Sequence, residues 1–139
     1  MKLKQAIWTS NNGWEPKNPK QLCESAQLVF LFGSTNLLED NTMISDINKL
    51  YNNAHIFGCS TSGEIYGTQV SDDSLVLTAV EFEHTNIETA SVNILKSKDS
   101  FSAGESLAEA IPKENLNHVV VLSDGLNVNG SDLVRGLTK

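Results

Sequence analysis

The stretch that decides the fold is residues 27–34, QLVFLFGS, a continuous apolar run that ends in a glycine and a serine. An unbroken apolar run of this length predicts a strand that is buried on both faces. The segment that follows has apolar side chains at the spacing of one helical face: Met43, Ile44, Ile47, Leu50 and Tyr51. Residues 54–57 are mostly apolar again, and a strand, a helix and a strand in this order predict a right-handed parallel crossover.

Further strands extend this unit into a mixed sheet. Residues 2–9 predict a short strand, and residues 74–82 and 87–95 predict two strands whose short connection makes an antiparallel hairpin. Residues 118–122, HVVVL, predict another buried strand. The sequence thus predicts an α/β fold, in which a mixed sheet contains parallel crossover units and an antiparallel hairpin and carries helices packed on it.

Turn and capping residues place the remaining helices. We expect a short helix over residues 18–25, a second over residues 99–111, and a last one that begins after Asn129 or Ser131. The sequence reaches Lys139 about two turns into that last helix. We therefore expect residues 1–139 to form one domain that is a fragment of a longer protein.

The charge distribution limits the partners. The net charge is −7, and no lysine or arginine lies between Leu50 and Leu95. Nucleic acids and anionic membrane surfaces require clustered cations, so we expect neither as a partner. No apolar run is long enough to span a membrane, and the N-terminus lacks the apolar core of a signal peptide, so we expect a cytoplasmic protein.

The first candidate site is residues 58–65, GCSTSGEI, directly after the second strand of the crossover. Small residues at the end of a buried strand indicate that a ligand, or another backbone, approaches closely. Hydroxyl and amide groups of Ser60, Thr61 and Ser62 suit the carboxylate of a small zwitterion, and the Glu64 carboxylate suits its ammonium group. A tight turn whose hydroxyls bond their own backbone is the other interpretation, and the sequence leaves both open.

Catalysis by this segment lacks the necessary partners. Cys59 and Ser60 do not lie in the Gly-x-Ser-x-Gly elbow of a serine hydrolase, and neither His55 nor His118 is placed as a base. We therefore predict no catalytic residues. An enzyme that depends on Cys59 or Ser60 is a lesser alternative.

Asp124 and Gly125 form the second candidate site. They follow the strand predicted over residues 118–122, and the carboxyl ends of parallel strands meet at one edge of a sheet. Both loops therefore face one pocket if both strands run parallel in the same sheet. A simple turn at Asp124 with a helix cap at Asn129 is the alternative.

We expect no metal site. Asp72 and Asp73 predict a solvated turn, and the spacing of the acidic residues does not match a calcium-binding loop. Cys23 and Cys59 lie in unlike contexts and form neither a disulfide scaffold nor a zinc site, so we expect two buried, reduced thiols.

The two candidate segments resemble the N-terminal part of the FIST domain family. The resemblance extends from about Gln27 to Lys139 and rests on residues 32–34, on residues 55–65, HIFGCSTSGEI, and on residues 124–137, DGLNVNGSDLVRGL. It implies a cytoplasmic sensory module that binds a small ligand, such as an amino acid, and signals to a histidine kinase, a diguanylate cyclase or a chemoreceptor. We expect no cofactor. Because some members of the family resemble haem-based nitric oxide sensors, a haem-binding nitric oxide sensor is the alternative function.

Together, the segments and the resemblance predict a sensory domain that binds a small polar molecule and is not an enzyme. Glu64→Gln is then expected to abolish binding of an amine while leaving the melting temperature nearly unchanged. The predicted ligand-binding residues are Gly58, Cys59, Ser60, Thr61, Ser62, Gly63, Glu64, Asp124 and Gly125.

Overall fold

The computed structural model describes residues 1–19 and 23–139, which divide into two compact units, residues 1–87 and residues 88–139. In chain order the elements are β1 (Lys2–Thr9), β2 (Gly13–Glu15), β3 (Leu28–Gly33), α1 (Thr35–Leu38), α2 (Asn41–Leu50), β4 (His55–Ser60), β5 (Glu64–Tyr66), β6 (Gln69–Ser71), β7 (Ser74–Glu81), α3 (Ser100–Ala110) and α4 (Gly130–Leu137). A 3₁₀ helix spans Ile94–Lys96. The short helix predicted over residues 18–25 includes residues 20–22, which lie outside the described residues. Within the described ranges, no helix combines the length and the apolarity needed to cross a membrane.

The first unit contains a mixed sheet whose described strands have the order β2-β1-β7-β3-β4. β3 and β4 are parallel, while β7 runs antiparallel to both of its neighbours, β1 and β3. The prediction of a mixed α/β sheet with a parallel strand–helix–strand unit is therefore confirmed. This topology brings the carboxyl ends of β3 and β4 to the same edge as the beginning of β7.

Helix α2 covers one face of this sheet, as its apolar spacing predicts. Ile47 and Tyr51 are buried against Val29 and Leu31 of β3 and other apolar side chains of the sheet. The Asp40 side chain caps the helix, because its carboxylate accepts hydrogen bonds from the backbone N–H groups of the first turn. A cap of this kind stabilises a helix by about 1 kcal/mol.

The antiparallel hairpin is not where the sequence predicts it. Residues 74–81 form β7, but residues 87–93 contain no strand. β7 already pairs with β1 on one side and with β3 on the other, so neither of its edges is free for a following strand. A shorter antiparallel pair, β5 and β6, forms instead and begins at Glu64, within the first candidate site.

The second unit is built around α3 and α4. Asp99 caps α3 and Asn129 caps α4, each through its side-chain oxygen, and Asn129 was one of the two predicted starts of the last helix. The prediction of a buried strand over residues 118–122 is wrong. These residues form no strand, and Val119, Val120 and Val121 are 40–64% exposed. Their β-branched side chains favour extended backbone, but a strand also requires a partner edge, which the local sequence does not specify.

Candidate functional site

The first candidate segment lies at the edge of the sheet where β3 and β4 end. The Thr61 N–H donates to the Gly33 carbonyl at 3.0 Å, which continues the pairing of β4 with β3 by one residue. On the other side of β3, the Ser34 N–H donates to the Ser74 carbonyl at 3.1 Å. These two hydrogen bonds fix three chain segments side by side, and polar side chains project from all of them.

An open cavity of about 300 Å³ lies at this edge, and we call it the loop cavity. Its lining residues are 34–36, which follow β3, 61–64, which follow β4, and 72–73, which precede β7. They carry hydroxyl, amide and carboxyl groups, and none of those described is basic or apolar. Ligand sites of α/β sheets are commonly found beyond the carboxyl ends of parallel strands, where this cavity lies.

Glu64 is the most buried acidic residue of the cavity, with only 3% of its surface exposed. Its Oε1 accepts a hydrogen bond from the Thr61 hydroxyl at 2.6 Å, and its Oε2 accepts one from the Ser74 hydroxyl at 2.7 Å. Ser74 is itself completely buried. In the part of the chain that the structure describes, no lysine or arginine forms an ion pair with Glu64. The carboxyl group is thus held by neutral donors alone.

The two glycines of the segment have different neighbours. A Cβ at Gly58 would lie 1.7 Å from the Leu31 carbonyl oxygen, so this glycine permits the backbones of β3 and β4 to approach closely. A Cβ at Gly63 would lie 3.5 Å from Oδ1 of Asp72 and from Cγ1 of Val70, which is ordinary contact. Close backbone approach therefore explains Gly58 without a ligand, whereas Gly63 borders the cavity.

Cys59 and Ser60 are strand residues that do not belong to the described lining of the cavity. Both lie at the end of β4, and Cys59 is exposed, so the expectation of two buried thiols is wrong for Cys59 and correct for Cys23. Successive side chains of a strand lie on opposite faces of the sheet, so Cys59, four residues after His55 in β4, shares a face with it. Four residues of strand separate their Cα atoms by about 13 Å, too far for His55 to act as the base of a Cys59 nucleophile.

Asp124 and Gly125 belong to the second unit, where they form a turn. The Asp124 carboxylate accepts hydrogen bonds from the Leu126 N–H at 2.8 Å and from the Asn127 side-chain amide at 2.6 Å. The Asn127 amide, followed by the Leu126 N–H, lowers the pKa of Asp124 below its usual value. These contacts are those of the simple turn that was the alternative for this segment, and a role of Asp124 in ligand binding stays a prediction.

Five residues of the cavity lining were not among the predicted site residues. They are Ser34, Thr35, Asn36, Asp72 and Asp73. The first three follow β3 just as the candidate segment follows β4, so the argument from strand ends applies to them equally well. Asp72 and Asp73 are exposed, as predicted for a solvated turn, but nothing local shows that this turn returns to the cavity.

The described residues do not form a metal centre, and the loop cavity does not fit haem. No group of three or more histidine, cysteine or acidic side chains in residues 1–19 and 23–139 is arranged to hold a metal ion. Haem needs a broad apolar pocket with an axial ligand such as histidine. The described lining of the loop cavity is polar and includes no histidine.

The fold and the cavity are those of an α/β domain with a polar, concave surface beside the carboxyl ends of two parallel strands. Residues 27–139 match the family model of the FIST N domain, and the chain belongs to this family. The FIST family is a family of sensory domains in signal transduction. Among curated proteins and among solved structures, no match to the chain was found.

Proposed function

We propose that this chain is a sensory domain that binds a small polar molecule with an amino group, such as an amino acid, in the loop cavity. Its place in the FIST family supports a sensory role, and the position of the cavity beyond two parallel strands supports a ligand site there. The family also supports a signalling partner in the cytoplasm, such as a histidine kinase, a diguanylate cyclase or a chemoreceptor.

The observation that carries this proposal is the buried carboxyl group of Glu64. Burial of a charge is costly unless a partner compensates it, and the partners of Glu64 are two neutral hydroxyl groups. A carboxylate has about four acceptor positions, so two remain after the bonds from Thr61 and Ser74. An ammonium group supplies both the missing charge and the missing donors.

A thermal-shift experiment with matched pairs of compounds tests the proposal. Butylamine is compared with butanol, and alanine with lactate, so that each pair differs only in whether an amino group or a hydroxyl group is present. A ligand at about 100 times its dissociation constant stabilises the folded state by roughly 2.7 kcal/mol, which raises the melting temperature by several degrees. We expect shifts with the amines and none with the alcohols. Equal responses within each pair would contradict a role for the amino group.

Two variants separate binding by Glu64 from its effect on stability. Glu64→Gln removes the charge, whereas Ser74→Ala removes a hydrogen-bond partner of the same carboxyl group and leaves the charge in place. We expect Glu64→Gln to lose the amine-dependent shift and Ser74→Ala to retain it, even though both variants melt at lower temperature. Loss of the shift in both would indicate that binding follows stability and not the charge of Glu64.

Two further additions to the thermal-shift experiment test the two alternative functions. Addition of haem tests the nitric oxide sensor, for which the polar lining of the loop cavity offers no support. An electrophilic thiol reagent at neutral pH tests an enzyme with Cys59 as nucleophile. Slow labelling at the rate of an ordinary exposed thiol is the result that we expect, because the geometry of β4 provides no base from His55.

A further inference from the structure

The acidic residues of the loop cavity determine the charge of the ligand that suits it. Glu64, Asp72 and Asp73 supply three carboxyl groups, and the other described lining residues are neutral. Like charges in one cavity repel each other, so a ligand that brings net positive charge is bound more favourably than one that brings none. A neutral amino acid brings a carboxylate together with its ammonium group, and that carboxylate meets the same repulsion.

Two of these carboxyl groups lie at the same end of the antiparallel β5–β6 pair, where Glu64 is paired with Ser71. Glu64 begins β5 and is buried, whereas Asp72 follows β6 and is exposed. Oδ1 of Asp72 lies only 3.5 Å from the position that a Cβ of Gly63 would occupy, so it reaches the residue next to Glu64. The cavity lining thus combines one buried and one solvent-exposed carboxyl group.

Ser34 gives an independent indication of a missing partner. It lines the same cavity, and its hydroxyl oxygen is buried without a hydrogen-bond partner in the part of the chain that the structure describes. Buried polar atoms are nearly always hydrogen-bonded, so an unpaired one calls for a partner. An ammonium group has three N–H donors and no acceptor, so it suits a lining rich in acceptor oxygens.

We propose that the loop cavity recognises a small molecule with two ammonium groups, one beside Glu64 and Ser34 and the other beside Asp72 and Asp73. This inference rests on the proposed function and narrows its ligand class. Short aliphatic diamines and basic amino acids share the required chemistry, whereas neutral amino acids and dicarboxylates lack it. A volume of about 300 Å³ suits molecules of this size.

Calorimetric titration of the full chain with five compounds tests this inference. The compounds are diaminobutane, butylamine, free lysine, alanine and succinate. We expect diaminobutane to bind about fivefold more tightly than butylamine, since a second, exposed charge pair contributes modestly. Added salt should weaken the binding of diaminobutane more than that of butylamine, because exposed charges are screened. Alanine should bind more weakly than butylamine, and succinate should not bind.

The outcomes distinguish this inference from the proposed function. Alanine binding as tightly as diaminobutane overturns the inference but leaves an amine-binding sensory domain intact. Failure of every amine to bind overturns both. Tight binding of diaminobutane alone supports the inference, and so does equally tight binding of diaminobutane and free lysine. The affinity for lysine relative to that for diaminobutane then tells whether the site tolerates a carboxylate on the ligand.

Substitution of Asp72 tests the second ammonium position. Asp72→Asn should lower the affinity for diaminobutane much more than that for butylamine, which loses only the weaker, longer-range attraction of the removed charge. Asp46→Asn is the matched control, because it changes the net charge equally at an exposed residue of α2 that pairs with Lys49. Unchanged diaminobutane binding in Asp72→Asn, or an equal loss in both variants, overturns the proposed position.

Discussion

The Ser74 hydroxyl donates a hydrogen bond of 2.7 Å to the Glu64 carboxyl group, and both residues are buried. This bond joins the first residue of β7 to the first residue of β5, while Thr61 holds the other carboxyl oxygen. Glu64 is therefore part of the architecture of the loop as well as part of the cavity wall. The expectation that Glu64→Gln leaves the melting temperature nearly unchanged must be revised, because the NH₂ group of glutamine cannot accept, so one of the two hydroxyl groups must turn from donor to acceptor or lose its partner.

Ser74→Ala should destabilise the protein by about 1–3 kcal/mol, since it leaves one buried carboxyl oxygen of Glu64 without its donor. Urea unfolding followed by circular dichroism measures this loss. Ser62→Ala is the control, because Ser62 lies in the same segment but is exposed, and its substitution should change stability by less than about 0.5 kcal/mol. Equal effects of the two substitutions would mean that the Ser74–Glu64 bond contributes no stability.

Gly136→Ala should disrupt the pairing of α3 with α4. A Cβ at Gly136 would lie 2.1 Å from the Phe101 carbonyl oxygen, and one at Gly104 would lie 2.2 Å from the Leu133 carbonyl oxygen, so the helices cross at these two glycines. Overpacking against backbone costs about 1–3 kcal/mol or more. Hydrogen exchange of the α3 and α4 amides should therefore accelerate.

The control for this prediction lies in the same helix. Gly130 is the first residue of α4, and a Cβ placed on it meets no atom within 4 Å. Gly130→Ala should be neutral or stabilise the helix by up to about 1 kcal/mol, because alanine is the better helix former. Faster exchange in Gly130→Ala than in Gly136→Ala would contradict the close crossing.

Gly58→Ala should destabilise the pairing of β3 with β4, because its Cβ would collide with the Leu31 carbonyl at 1.7 Å. Gly63→Ala provides the comparison, since its Cβ would meet its neighbours at 3.5 Å and fit without a shift. In urea unfolding we expect a loss of about 1–3 kcal/mol for the first variant and a much smaller change for the second. A fully stable Gly58→Ala protein would contradict the close approach of the two backbones at this residue.

The sequence predicts the elements whose local pattern is complete. The continuous apolar run of β3 and the helical spacing of α2 each contain the information that their own structure needs. The strand predicted over residues 118–122 does not form, because the β propensity of these residues does not identify a partner strand. Likewise, the alternating pattern of residues 87–95 does not reveal that both edges of β7 are already paired.

The residues of the candidate site also fall into some that the local sequence predicts and some that it does not. Residues 61–64 line the cavity and are recognisable because small, hydroxylated and acidic residues follow a buried strand. Asp72 reaches the same cavity through the reversal of the chain in β5 and β6, and the same reversal places Ser71, three residues before Ser74, opposite Glu64. Such contacts depend on tertiary pairing, which spacing along the chain does not encode.

Alkaline unfolding should depend on Tyr51. Burial, with a smaller contribution from the charge of Cys23, raises the pKa of Tyr51 from 10.0 to about 12. The neutral phenol, which donates a hydrogen bond of 2.7 Å to the Pro19 carbonyl, is thus favoured in the folded state. Its contribution to stability is complete below pH 10 and is lost as the pH rises towards about 12, by roughly 2–3 kcal/mol. The Tyr51→Phe variant should be about 1 kcal/mol less stable than the parent protein at neutral pH, and it should lose less stability between pH 10 and 12. Urea unfolding of both proteins across this pH range measures the difference. An identical pH dependence in the two proteins would contradict the role of Tyr51 in alkaline unfolding.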